Sequence, residues 1–251
     1  MKPPVYIQDL CQSFLDGLKA ALGDKLYGVY LHGAVAFPET TYTGDIDFHV
    51  ILAGSLSDGE HSEIKQLHAK LAEKFPPLGN EMDGHYLLLI DAKETAQPGS
   101  QLSPYNVDDA WALHRAHIRA ARCIVLYGPD PEQIYPGATW VELEVDLEEQ
   151  LQYVEAHLQV YPAYCILNLC RLMYSFEARD VVISKAAAAE WARDLYPQWR
   201  DLIEAAQKAY AKQVSAQEEA LMQSEVTNLY KFASEIIKGA ERDSSANQDL
   251  K

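Results

Sequence analysis

Tyr30-Leu31-His32-Gly33-Ala34, followed after ten residues by Asp45-Ile46-Asp47, decides the fold. Tyr27 to His32 is a short β-rich run that Gly33-Ala34 ends, and Asp45 to Ala53 reads as a second strand. Alternate side chains on a strand share a face, so Asp45 and Asp47 point the same way. Two carboxylates that close repel unless a cation sits between them. Such a pair suits a hard cation, and Mg²⁺ takes one or two carboxylates together with substrate phosphates. The Gly33-Ala34 turn offers backbone amides and almost no side chain, so a phosphate can approach it closely.

The neighbouring sequence extends this strand–turn–strand core. Leu10, Phe14, Leu18 and Leu22 recur at helical spacing, which predicts a helix over 5–22. A second helix is expected over 60–75, with Ile64, Leu67 and Leu71 on one stripe and Pro76-Pro77 stopping it. His85 to Asp91 reads as a third strand, 107–121 as a helix, and Cys123 to Tyr127 as a fourth strand closed by Gly128-Pro129. Beyond Gly137 the pattern is almost wholly helical: 145–158, 162–178, 185–195 and 198–238, the last broken near Val214. Pro162 suits a first helical turn and Ser184 an N-cap. The reading is an α/β domain over 1–137 and a helical domain over 138–251, with a polar, frayed tail over 239–251.

Composition limits the function. The 251 residues carry 21 Lys+Arg against 37 Asp+Glu, a net charge of -16, which opposes nucleic-acid phosphates and favours a cationic ligand or a divalent metal. Cys11, Cys123, Cys165 and Cys170 include no C-x-x-C pair and read as free thiols of a reducing compartment. The N-terminal stretch lacks a signal peptide's apolar run, and the longest apolar stretches are too short for a bilayer. A soluble, cytoplasmic protein without membrane or nucleic-acid partners is expected; its oligomeric state stays open. P-loop, Rossmann and α/β-hydrolase motifs are absent.

The Gly33…Asp45-x-Asp47 element resembles the signature of nucleotidyltransferases with a DNA-polymerase-β-type fold: Gly-Ser, a spacer, then Asp-x-Asp. Leu167-Asn-Leu-Cys-Arg171-Leu-Met-Tyr174, Ile183-Ser-Lys185-Ala-Ala-Ala-Ala189-Glu-Trp191-Ala192 and Leu126-Tyr-Gly128-Pro129 are similar to the aminoglycoside adenylyltransferases of the streptomycin/spectinomycin type. The resemblance covers about residues 10–238. It implies an α+β protein, with a polymerase-β-like mixed sheet followed by an all-α bundle. It also implies transfer of AMP from ATP, with Mg²⁺, to a hydroxyl of a small, aminoglycoside-like acceptor. Asp45 and Asp47 would hold the metal, Gly33 and Ala34 would shape the phosphate loop, and Arg171 and Lys185 would reach the triphosphate. An ion pair for Arg171 and an exposed first-turn position for Lys185 are the competing readings.

The family places a carboxylate base at the start of the third strand. Asp83 is assigned that role, with Glu81 and His85 as alternatives of the same parity. The sequence departs from the family at Ala34, where the usual serine hydroxyl is missing, and at Phe37-Pro38, which replace loop glycines. A catalytically weakened nucleotide-binding or regulatory module is therefore the alternative function. The acidic residues Asp146, Glu148, Glu149 and Glu155 form either a solvated face or a wall that attracts cations. Tyr161, Tyr164 and Trp111 are candidates for stacking, with packing expected for at least two. His114-x-x-His117 has no third ligand nearby in sequence and is assigned to surface or packing, while His32 and His49, which flank the site, are expected to pack or to support its ligands rather than to be ligands.

Overall fold

The computed structural model describes residues 2–37, 45–102 and 110–248, with side chains to residue 240. Leu10, Phe14, Leu18 and Leu22 are buried along α1 (Gln8–Leu22), as their spacing requires. β1 (Leu26–Leu31) and β2 (Ile46–Leu52) follow, then α2 (Asp58–Lys74), β3 (Met82–Leu88) and a one-turn helix α3 (Leu89–Ala92). After α4 (Trp111–Arg119) comes β4 (Ile124–Tyr127). The four strands form one mixed sheet in the order β3-β2-β1-β4. β1 is antiparallel to β2 and to β4, whereas β2 and β3 are parallel.

Strand alternation gives the sheet two different faces. Phe48, Val50 and Leu52 of β2, with Val29 and Leu31 of β1, pack against α1 and α2. Tyr30, Ile51 and Leu87 point the other way, into a second core with Trp111, Ile118, Ile134 and Tyr135. By parity Asp47 and His49 belong to this second face.

The helical part comprises α5 (Trp140–His157), α6 (Pro162–Ala178), α7 (Lys185–Leu195), α8 (Arg200–Tyr210) and α9 (Ala216–Gln248). α6 is apolar nearly all round: Cys165, Ile166, Leu167, Leu169, Cys170, Leu172, Met173 and Phe176 are buried. Such a helix must be enclosed, and α7, α8 and α9 pack against it. The chain divides into two units, Met1–Glu142 and Leu143–Lys251. The architecture is α+β. Among the described residues no helix is long and apolar enough to cross a membrane.

Several element ends differ from expectation, for identifiable reasons. β3 starts at Met82, not His85, because it pairs in register along β2, from Ile46 with Met82 to Leu52 with Leu88. The weak β-formers Asp83 and Gly84 hid that start, and tertiary pairing overrides propensity. The residues expected to finish the strand form α3 instead. α2 and α5 start earlier than their apolar periodicity indicates because capping boxes nucleate them. The Ser57 side chain accepts from Glu60 N while Glu60 accepts from Ser57 N. Thr139 and Glu142 do the same. α4 is shorter than expected, and residues 107–109 lie outside the described residues. The last helix is interrupted between Tyr210 and Ala216, then stays helical to Gln248, past the expected frayed start; residues 249–251 of that tail lie outside the described residues.

Candidate active site

Asp47 and Asp83 are direct neighbours. Each is the second residue of its strand, and the parallel register of β2 and β3 pairs them. In-register residues of adjacent strands point to the same side, with backbones about 4.8 Å apart. Asp47 is half-buried and Asp83 exposed; Asp45, one residue before β2, is exposed. The first strand brings the glycine turn to the same end of the sheet. His32 N donates to Asp47 O at 2.9 Å, which fixes Gly33 beside Asp47. Gly33 has φ +63, and a Cβ added there would overlap the Asp47 carboxylate Oδ2. Only glycine gives the carboxylate this room. Ala34 follows in a short 3₁₀ turn, Gly33–Ala36, and is partly exposed. Phe37 is buried, while Pro38 and the rest of the spacer up to Gly44 lie outside the described residues.

The two alternatives to Asp83 sit differently. Glu81 precedes β3 and uses its backbone carbonyl to accept from Ile46 N. His85 is in register with His49, one parity step further into the domain. The set of acids at the strand ends therefore offers hard oxygen donors beside a turn cleared of side chains. That chemistry fits a Mg²⁺ ion carrying phosphates.

In the helical unit, Ser184 caps α7 by accepting from Ala187 N at 3.0 Å. Lys185 follows as the first helical residue, but it is not a free surface lysine. Its Nζ donates to Tyr210 Oη at 3.2 Å and lies over the Tyr164 ring, 4.4 Å from the centroid, and the Tyr210 ring at 5.3 Å. Two aromatic faces thus hold the ammonium by cation–π attraction. Tyr164, Asn168 and Arg171 share one stripe of α6, where Asn168 Nδ2 donates to Tyr164 O at 2.9 Å. Arg171 is partly buried.

The aromatic candidates have separate fates. Trp111 is a core residue, 5.7 Å from the His49 ring. Tyr164 packs beneath Lys185. Tyr161 is exposed and helps line an open cleft of about 550 Å³ with Tyr164, Met222 and Gln223. In the acidic run of α5, Glu148 and Glu155 are exposed and Asp146 and Glu149 are partly exposed. Glu142, just before them, is committed to structure. It accepts from Arg115 Nη2 at 2.6 Å, and Arg115 is only 1% exposed.

Sequence reasoning missed one grouping. His32, His49 and His114 converge on the second face of the sheet, one nitrogen from each lying within 4.8 Å of the others. They come from the end of β1, from β2 and from α4. The parity of His49 and the helical position of His114 were visible in sequence, but nothing in a linear pattern joins three segments.

Residues 142–236 match the family model described as aminoglycoside adenylyltransferase, C-terminal domain. The fold is similar to that in the crystal structure of spectinomycin adenyltransferase AAD(9) from Enterococcus faecialis with ATP and spectinomycin. The TM-score is 0.71 at 15% sequence identity, over 90% of this chain and 98% of that one. Among curated proteins none matches the chain significantly. Residues 142–236 thus match the C-terminal domain of the aminoglycoside adenylyltransferases, and the fold of the chain is that of the AAD(9) structure.

Proposed function

We propose that this protein transfers AMP from ATP to a hydroxyl of a small cationic acceptor of the aminoglycoside or spectinomycin kind. The observation that carries the reading is the pairing of Asp47 with Asp83 beside the Gly33 turn. The acceptor oxygen forms a bond to the α-phosphorus, the bond from that phosphorus to pyrophosphate breaks, and the hydroxyl proton goes to the Asp83 carboxylate. Asp83 suits this general-base role because it is exposed at the strand end, next to Asp47. Asp45 and Asp47 would hold Mg²⁺, which when bound neutralises phosphate charge and stabilises the attacking and leaving oxygens. The amides of Gly33 and Ala34 orient phosphate oxygens. Arg171 and Lys185 are assigned to compensating triphosphate charge, in a protein whose net charge of -16 otherwise opposes a polyanion. The AAD(9) structure holds ATP and spectinomycin, which supports both substrate classes.

The second reading, a weakened nucleotide-binding or regulatory module, is motivated by Ala34, whose methyl cannot replace a hydroxyl donor. One lost hydrogen bond to a charged group is worth roughly 1.5–3 kcal/mol, which slows an enzyme without abolishing it. Pyrophosphate release separates the two. Purified protein with ATP and Mg²⁺ is expected to release pyrophosphate only when an acceptor such as spectinomycin or streptomycin is present. Asp83→Asn should lose this release while still binding ATP. ATP binding without release, across a full panel of aminoglycosides, supports the module instead.

A further inference from the structure

We propose that His32, His49 and His114 form a second metal site, for a transition ion of the Zn²⁺ class, independent of the carboxylates. One nitrogen of each ring lies within 4.8 Å of the other two. The ring centroids form a triangle with sides of 4.4, 4.7 and 5.3 Å. His49 is fully buried and His32 is 5% exposed, yet the Nε2 atoms of both lack a hydrogen-bond partner. Unsatisfied buried nitrogens are costly, and the cost needs a reason. His49 Nδ1 lies 3.2 Å from the Tyr135 hydroxyl. When that hydroxyl accepts from Nδ1–H, the lone pair stays on Nε2, the arrangement in which metal-binding imidazoles are commonly held.

The donor set decides the ion. Three imidazoles, with no carboxylate in the grouping, suit Zn²⁺, Co²⁺, Ni²⁺ or Cu²⁺ rather than Mg²⁺. Nitrogens on a tetrahedral ion at about 2.0–2.1 Å stand about 3.4 Å apart, so nitrogens up to 4.8 Å apart need to close by at most about 1.4 Å. A water completes the coordination. The ion would tie the end of β1 to β2 and to α4, and His32 is the residue whose amide holds the Gly33 turn against Asp47. Its role is to stiffen that turn.

The test uses the full chain, stripped with chelator and kept in excess Mg²⁺ so that carboxylate sites are filled. Titration with Co²⁺, followed by its visible absorption, and with Zn²⁺, followed by calorimetry, should each show one equivalent bound. Binding should persist in Asp47→Asn and fall at least about 100-fold in His49→Gln and His114→Gln, since even mutations outside the ligand shell cost 10–100-fold. Zn²⁺ should also raise the melting temperature of the wild type and leave that of His114→Gln unchanged. His114 is partly exposed, so its variant remains informative if His49→Gln does not fold. No binding to the wild type, or binding unchanged in His114→Gln, overturns the site. Loss of binding in Asp47→Asn with retention in both histidine variants would place the ion on the carboxylates and also overturn it. None of these readouts depends on nucleotidyl transfer.

Discussion

Gly33→Ala is expected to impair the site far more than the fold. The left-handed backbone at φ +63 costs a residue with a Cβ about 1–2 kcal/mol. For a chain of this size, that lowers the melting temperature by about 2–8 °C. The larger effect is local, because the added methyl overlaps Asp47 Oδ2. The carboxylate must retreat by more than about 1 Å to regain ordinary contact distance, and a displacement of that size at a reacting centre costs about 100-fold in rate. Gly23→Ala supplies the control. Gly23 also has positive φ, +51, but nothing lies within 4 Å of a Cβ built there. Thermal melts and steady-state pyrophosphate release should therefore show destabilisation in both variants and a loss of turnover in Gly33→Ala alone. If Gly33→Ala turns over within about threefold of Gly23→Ala, the claim that this glycine makes room for a working Asp47 is refuted.

Three further outcomes follow from particular contacts. Ala34→Ser should tighten ATP binding by about 10-fold or more, the equivalent of one hydrogen bond to a charged phosphate, as read by calorimetry; an unchanged affinity removes Ala34 from the phosphate loop. Glu142→Ala strands the buried Arg115 and removes one side of a capping box. Because Glu142 is 29% exposed, the expected loss is about 1–3 kcal/mol, below the 3–5 of a fully buried pair, and a denaturant melt measures it. Burial pushes the thiols of Cys11, Cys123 and Cys170 up to about 12 and that of Cys165 to about 11. A raised value means the protonated, unreactive form prevails at pH 8, so a disulfide-exchange reagent should find no fast thiol in the native protein and four after denaturation.

Much of the fold was legible because local signals and packing agree. Pro162 and Ser184 mark the starts of α6 and α7, and both helices run as the periodicity indicated, over 162–178 and 185–195. β1 and β2 were visible as β-rich runs on either side of the glycine turn. The starts of α2, α5 and α9 were written in the sequence as Ser57-x-x-Glu60, Thr139-x-x-Glu142 and Ser215-x-x-Glu218, and apolar periodicity alone passed over them. The site was only half legible. Parity relates Asp45 to Asp47 within one strand, but the pairing of Asp47 with Asp83 depends on register between strands, which a linear pattern does not contain. The surroundings of Lys185 were hidden for the same reason: Tyr164 and Tyr210 reach it from two other helices. His32 and His49 are 17 positions apart in sequence and His114 lies 65 beyond His49, and the second face of the sheet brings them together.

The most direct measurement is the mass of the acceptor after incubation with wild-type protein, ATP and Mg²⁺, beside the same incubation with Asp47→Asn. Spectinomycin or an aminoglycoside should gain one AMP in the first and stay unmodified in the second. An acceptor modified equally by both proteins would contradict the assignment of Asp47. So would a full panel left unmodified by wild-type protein that binds ATP, which would leave a nucleotide-binding module in place of a transferase.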